Sequence, residues 1–172
     1  MTATEPFRPV RITMSESQLI REAYPHEAEL LSALALRSKA HWGYSPDFLD
    51  SCRDELTVER SRIGSVDYWC FVVVEDNSIL GFYALESIGK DVHELDALFV
   101  EPARIGTGLG RLLIQHALQV LADCGAVRLI IQGDANATEF YKAAGARQIG
   151  TRESGSIPGR YLPLFELAIN RV

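Results

Sequence analysis

Gly106-Thr107-Gly108-Leu109-Gly110 stands between a run of strand-forming residues and a stretch of helical periodicity. A strand that ends in glycines and enters a helix presents unpaired backbone N–H groups and the positive end of the helix dipole, and so can hold an anion such as a phosphate. Arg111 follows Gly110 directly, so the third glycine of a G-x-G-x-x-G dinucleotide fingerprint is missing. No Gly-Lys-Ser/Thr follows either, which removes the nucleoside-triphosphate loop. The competing use of these glycines is a tight turn with no ligand. Other side chains have chemical capacity. Alternation places Glu94 and Asp96 on one face of a strand, with His93 and Leu95 on the other. Trp42 and Tyr44 offer aromatic faces to a cation, and Arg160 can grip a carboxylate. Each has a plainer alternative: a solvated carboxylate, an aromatic packed between helices, an arginine in a turn.

The elements that must position these groups follow from periodicity. Residues 1–17 read as a leader, and residues 18–172 as one domain with no linker, repeat or low-complexity tract. Leu19 to Ala23 suits a short strand, and Pro25 suits the first turn of a helix whose apolar positions Ala28, Leu30, Leu31, Leu34, Ala35 and Leu36 run toward a break at Gly43. Ser45-Pro46-Asp47 opens a second helix through Cys52. Tyr68–Val74 and Ile79–Glu86 flank a polar turn, as in a hairpin, and Val92–Val100 is a further strand ended by Pro102. Leu109, Leu112, Leu113, Ala117, Val120 and Leu121 share one helical face up to Gly125. Val127–Gln132 suits a strand buried on both sides, Thr138–Ala144 a short helix, and residues 147–150 and 161–170 the last two strands. The class is α+β in α/β/α layers: a mixed, mostly antiparallel sheet with a central βαβ crossover and helices on both faces.

The segment from Val100 through Gly106-Thr107-Gly108 to Leu113 resembles the acetyl-CoA signature of the GNAT superfamily of N-acetyltransferases, a Q/R-x-x-G-x-G/A loop joining a strand to a helix. Asn136-Ala137-Thr138-Glu139-Phe140-Tyr141-Lys142-Ala143-Ala144-Gly145 is similar to the family's second segment on the coenzyme A side, and Gly81-Phe82 is a frequent family feature. From Leu19 onward the order of elements matches, so the resemblance covers all but the leader. One position departs from the pattern: Ile105 stands where the family carries Gln or Arg, and the nearest arginine, Arg104, is one place early.

The resemblance implies acetyl-CoA as co-substrate. It would be held by Leu98, Phe99 and Val100 of the strand, by Arg104, Ile105, Gly106, Thr107, Gly108, Leu109, Gly110 and Arg111 of the loop, and by Asn136, Phe140 and Tyr141, with Phe140 turned to the core. The backbone of Leu98 and Val100 would pair with the pantetheine arm. An N–H near Leu98 would polarise the thioester carbonyl as the amine attacks directly through a tetrahedral intermediate. Tyr141 matches the tyrosine that protonates the departing thiolate, and an acidic residue on the strand or its neighbour serves as base, in the order Glu94, Asp96, Glu86. Trp42 and Tyr44 lie where the family covers its acceptor, and Arg160 sits in a late loop suited to gripping that acceptor. Two other outcomes stay open: a coenzyme A-binding regulatory module without turnover, and acyl transfer to an acceptor other than an amine. Dimer formation is in keeping with the family, though no sequence patch specifies it.

Composition bounds the rest. The 172 residues are 47% hydrophobic and 23% charged, which fits a folded domain. Seventeen basic against 23 acidic side chains leave a charge of -6, which repels nucleic acid. Cys52, Cys70 and Cys124 form neither a disulfide framework nor a metal-ligand spacing, so a reducing cytoplasm and no metal are expected. No signal-like or membrane-spanning apolar run is present in the sequence.

Overall fold

The computed structural model describes residues 12–13 and 17–170. Its strands are β1 (Ile12–Thr13), β2 (Gln18–Glu22), β3 (Tyr68–Glu75), β4 (Ser78–Gly89), β5 (Val92–Val100), β6 (Arg128–Gln132), β7 (Arg147–Glu153) and β8 (Tyr161–Ala168). The helices are α1 (Ala28–Ala40), α2 (Pro46–Ser51), α3 (Arg53–Leu56), α4 (Leu109–Asp123) and α5 (Thr138–Ala143). All strands join one sheet in the order β1-β2-β3-β4-β5-β6-β8-β7, antiparallel except for the parallel β5–β6 pair that α4 connects. Most of the leader lies outside the described residues, but Ile12 and Thr13 pair with Ile20 and Leu19 at the sheet edge. Among the described residues no helix is long and apolar enough to cross a membrane.

The central strands are buried on both faces, which is why their sequences read as apolar runs and not as alternations. On one face Phe71, Tyr83, Leu85, Leu129 and Ile131 pack with Leu113, Ile114, Ala117 and Leu121 of α4. On the other, Cys70, Val72, Phe82 and Ala84 pack with Leu31, Leu34 and Ala35 of α1 and Leu56 of α3. Local chemistry explains the boundaries. Ser45 Oγ accepts from the Phe48 N–H at 3.2 Å, with Pro46 at the first helical position. Asp76 and Asn77 turn the β3–β4 hairpin at φ of 48° and 63°, a left-handed conformation that Asp and Asn tolerate.

The structure departs from the sequence pattern in several places. Leu30 is 61% exposed, and the buried stripe of α1 ends instead on Ser38. The second helix splits at Cys52 into α2 and α3. His116 lies inside the α4 face, where its Nδ1 hydrogen-bonds the Tyr83 hydroxyl at 2.7 Å. The strand expected over residues 147–150 runs to Glu153; it is an edge strand exposed at every position but Arg152, so it carries no burial pattern to read.

Two features of β5 shape the molecule. Its parallel pairing with β6 stops at Leu95–Ile131, although β5 continues five residues further to Val100. Its register with β4 skips Asp96, since Leu85 opposes Leu95 and Ala84 opposes Ala97. The bulge reverses the alternation, so Leu95, Leu98 and Val100 face the α4 side while Ala97 and Phe99 face the α1 side. Gly81 opposite Val100 is required by close approach: an added Cβ would lie 2.9 Å from the Phe99 carbonyl oxygen and 3.2 Å from Leu113 Cδ1. A backbone atom cannot step aside, so Gly81→Ala is expected to destabilise the fold by about 1–3 kcal/mol, measured as a lower midpoint of thermal unfolding.

Candidate active site

Past Leu95 the edge of β5 that faced β6 has no partner strand among the described residues, and the chain then turns through residues 102–104 into the glycine loop. Ile105 N–H bonds the Pro102 carbonyl and Thr107 N–H the Arg104 carbonyl, both at 3.3 Å. Gly106 and Gly108 adopt φ of 82° and 90°, which a side chain would resist. Gly108 precedes α4 with no side-chain cap. The N–H groups of Gly106, Gly108, Leu109, Gly110 and Arg111 therefore have no partner among the described residues. Five donors thus fall within six consecutive residues at the positive end of the α4 dipole. Gly110 matters for a different reason, because its missing Cβ admits the ring of Phe140, whose Cε2 lies 3.3 Å from where that atom would sit.

A cleft of about 480 Å³ runs from this loop along β5 to the end of α1. Leu98, Phe99, Val100, Arg104, Ile105, Gly106, Gly108, Gly110, Arg111, Asn136, Phe140 and Tyr141 line it, as do Asp96 and Trp42. Thr107 and Leu109 do not: the Thr107 hydroxyl turns back to the Arg104 carbonyl at 2.6 Å, and Leu109 is in the core. Phe140 packs against the core as expected, but Tyr141 goes deeper still. Tyr141 is the buried member, packed at 5.7 Å on Phe165, and Phe140 is half-buried at its edge. Among the described residues the Tyr141 hydroxyl has no hydrogen-bond partner, and burial, with Asp134 nearby, raises its pKa. Arg104 is committed to an ion pair with Glu75, whereas Arg111 is exposed and has no ion pair among the described residues, and Ile105 packs against the core.

The two carboxylates on β5 part company. Glu94 is ion-paired with Arg152 of β7 and does not line the cleft. Asp96 does line it, with 37% of its side chain open. A concave wall desolvates a carboxylate that solvent still reaches, and desolvation raises the Asp96 pKa, assisted by Glu86 and Glu94 and opposed by Arg62 and the Tyr68 hydroxyl. Tyr68 donates to Asp96 at 3.2 Å, and Arg62, 3.8 Å away, also holds Glu86 at 2.9 Å.

Tyr44 and Arg160 are not among the lining residues; they form a knot behind the wall. The Tyr44 hydroxyl donates to Asp134 at 2.8 Å and accepts from Asn136 and Arg160, each at 3.1 Å. Lys39 bonds Asp134 at 3.3 Å. Burial pushes the Asp134 carboxyl up, but the Asn136 N–H, Tyr44 and Lys39 outweigh it and hold the pKa below the usual range. The knot joins α1, the loop before α2, the start of the 135–137 turn and the β7–β8 loop. Ser38, Lys39, Glu55, Gln132, Asp134 and Leu162 also line the cleft and carry no sequence signal, because only the tertiary fold brings them to one wall. Among the described residues no group of three or more His, Cys, Asp or Glu side chains is placed to hold a metal ion.

Comparison with known proteins agrees with this geometry. The chain is 31% identical over 151 residues to the peptidyl-lysine N-acetyltransferase YjaB of Escherichia coli strain K12, covering 87% of this chain and 95% of that protein. The YjaB protein of Salmonella typhimurium is 29% identical over 150 residues, covering 86% and 95%. The fold is shared with the paiA N-acetyltransferase of Thermoplasma acidophilum, crystallised with coenzyme A, at a TM-score of 0.72 and 20% identity over 88% of this chain and 99% of that one. It is shared also with the ribosomal-protein-S18-alanine N-acetyltransferase of Escherichia coli, at a TM-score of 0.67 and 18% identity over 90% and 96%. Residues 34–146 match the acetyltransferase (GNAT) family. The chain is an acyltransferase and belongs to the acetyltransferase (GNAT) family.

Proposed function

We propose that this enzyme transfers the acetyl group of acetyl-CoA to the side-chain amine of a peptidyl lysine. One observation carries the donor side: an unpaired strand edge over Asp96–Val100 leads directly into five amides at the start of α4 that are unpartnered among the described residues. An extended amide-bearing arm fits the first as an added strand, and a diphosphate fits the second. Arg111 is the cation beside it. Acetyl-CoA supplies the acyl group as an activated thioester.

The acceptor half of the cleft is acidic. Glu55, Asp96 and Asp134 line it against Lys39, and Trp42 adds an exposed aromatic face, a setting that draws in a protonated amine. The naming of the YjaB relatives as peptidyl-lysine N-acetyltransferases supports lysine as that amine. Asp96 takes the amine's proton, since its carboxylate reaches the cleft and its raised pKa makes it a better base than an ordinary aspartate. The nitrogen then bonds to the acyl carbon to give a tetrahedral intermediate, which collapses as the carbon–sulfur bond breaks. A β5 amide near Leu98 steadies the carbonyl oxygen, a contribution of roughly 3–4 kcal/mol for one well-aimed donor. Tyr141 meets the departing sulfur. Its raised pKa keeps the hydroxyl protonated and able to donate to the sulfur as charge builds there.

The test is thiol release from acetyl-CoA with a lysine peptide, its N-terminus blocked, alongside calorimetric titration with coenzyme A. Coenzyme A binding with acetylation of the lysine is the expected result. Binding with turnover only on other amines removes the lysine assignment, and failure to bind coenzyme A removes the whole reading.

A further inference from the structure

Tyr141 stands against a residue with no side chain. Gly133 follows the last residue of β6 and is fixed to the β8 strand by its N–H, which donates to the Pro163 carbonyl at 3.0 Å. A Cβ at Gly133 would lie 2.9 Å from Cε2 and 3.0 Å from Cδ2 of Tyr141, and 3.2 Å from Cε2 of Phe165. Real Cβ contacts are seldom so short, and Gly133 has no positive φ to explain the glycine. Its purpose is space.

The ring could not yield to a methyl group without changing its aim. The Tyr141 carbonyl accepts from Ala144 at 3.1 Å and Ala146 at 3.0 Å, which holds the main chain of α5 in place. Phe140 stands edge-on at 5.1 Å, and Phe165 closes another side at 5.7 Å. Displacement must therefore occur by rotation of the side chain. A turn about the ring's long axis would leave the hydroxyl in place but would swing the ring edges against Phe140 and Phe165, so the methyl group is accommodated by tilting the ring about the Cα–Cβ bond, which carries the hydroxyl with it.

We infer that Gly133 is a positioning residue for acetyl transfer: the absence of its Cβ sets where the Tyr141 hydroxyl meets the thioester sulfur. The inference rests on Tyr141 as the proton donor. Misplacement of a reacting group by about 1 Å can cost 10²-fold in rate, and a methyl group here shifts the ring by a fraction of that.

The experiment compares Gly133→Ala in two backgrounds, native and Tyr141→Phe, by steady-state kinetics with acetyl-CoA and a lysine peptide, with thermal unfolding and coenzyme A calorimetry on each variant. In the native background kcat is expected to fall roughly tenfold or more, with KM for acetyl-CoA and coenzyme A affinity within about twofold. In the Tyr141→Phe background there is no hydroxyl to misdirect, so the same substitution should change kcat by less than about twofold. Equal losses in the two backgrounds would overturn the inference while leaving the tyrosine's role intact. A Gly133→Ala chain that no longer folds or no longer binds coenzyme A overturns it too, since the glycine then serves the fold and not the hydroxyl. Full activity in Tyr141→Phe alone defeats the donor assignment itself, and the inference falls with it.

Discussion

Tyr141→Phe is expected to lower kcat by roughly 10²-fold or more, the range of a well-placed general acid, with little change in KM for acetyl-CoA. The side chain packs through its ring, against Gly133, Phe140 and Phe165, and phenylalanine keeps all of that packing. The hydroxyl has no hydrogen-bond partner among the described residues, so its removal strands no buried donor or acceptor. The thermal midpoint should therefore stay close to native. Stability and coenzyme A binding unchanged beside a collapsed kcat would locate the loss in the chemical step. A kcat within about threefold of native would instead place the proton donor elsewhere, with ordered water as the obvious substitute.

What could be read in advance was local. The glycine loop, the crossover around α4 and the Phe140-Tyr141 pair are each contained in a few consecutive residues, and their geometry follows from glycine dihedrals, helical spacing and strand-forming runs. The choice between Glu94 and Asp96 was not of that kind. Both lie on β5, and alternation alone gives them equal claims, with Glu94 taken first. Arg152, 58 positions away, pairs with Glu94, which does not line the cleft, whereas Asp96 does. Tyr44 and Arg160 carry the same lesson. Their types suit an acceptor, but Asp134 and Asn136, about 90 residues from Tyr44, draw them into a knot behind the wall. Exposure also hides structure: β7 is a strand by pairing with β8, not by any buried face of its own.

Asp96→Asn is the second substitution with a large expected effect, because it separates the two carboxylates by function. Asparagine keeps the shape and can still accept from the Tyr68 hydroxyl, but it cannot take a proton from an amine. The value of kcat/KM for a lysine peptide at neutral pH should fall by roughly 10²-fold or more. The pH dependence supplies the sharper signature. The native enzyme should lose activity as pH falls through the Asp96 pKa, which desolvation places above the ordinary aspartate range, and that limb should vanish in the variant. Stability gives an independent check on sign. The folded chain holds this proton more tightly than the unfolded chain does, so this group favours folding below its unfolded pKa, and that contribution is lost as pH rises through the raised folded value. At neutral pH the ionised carboxylate thus gives no net support through this linkage, and Asp96→Asn should not lower the thermal midpoint. Glu94→Gln should behave in the opposite way: Arg152 loses its anionic partner and keeps only Gln132, so stability suffers while the acidic limb stays in place. Should the limb survive in Asp96→Asn and disappear in Glu94→Gln, the base is Glu94, and the ion pair with Arg152 must open before the amine can react.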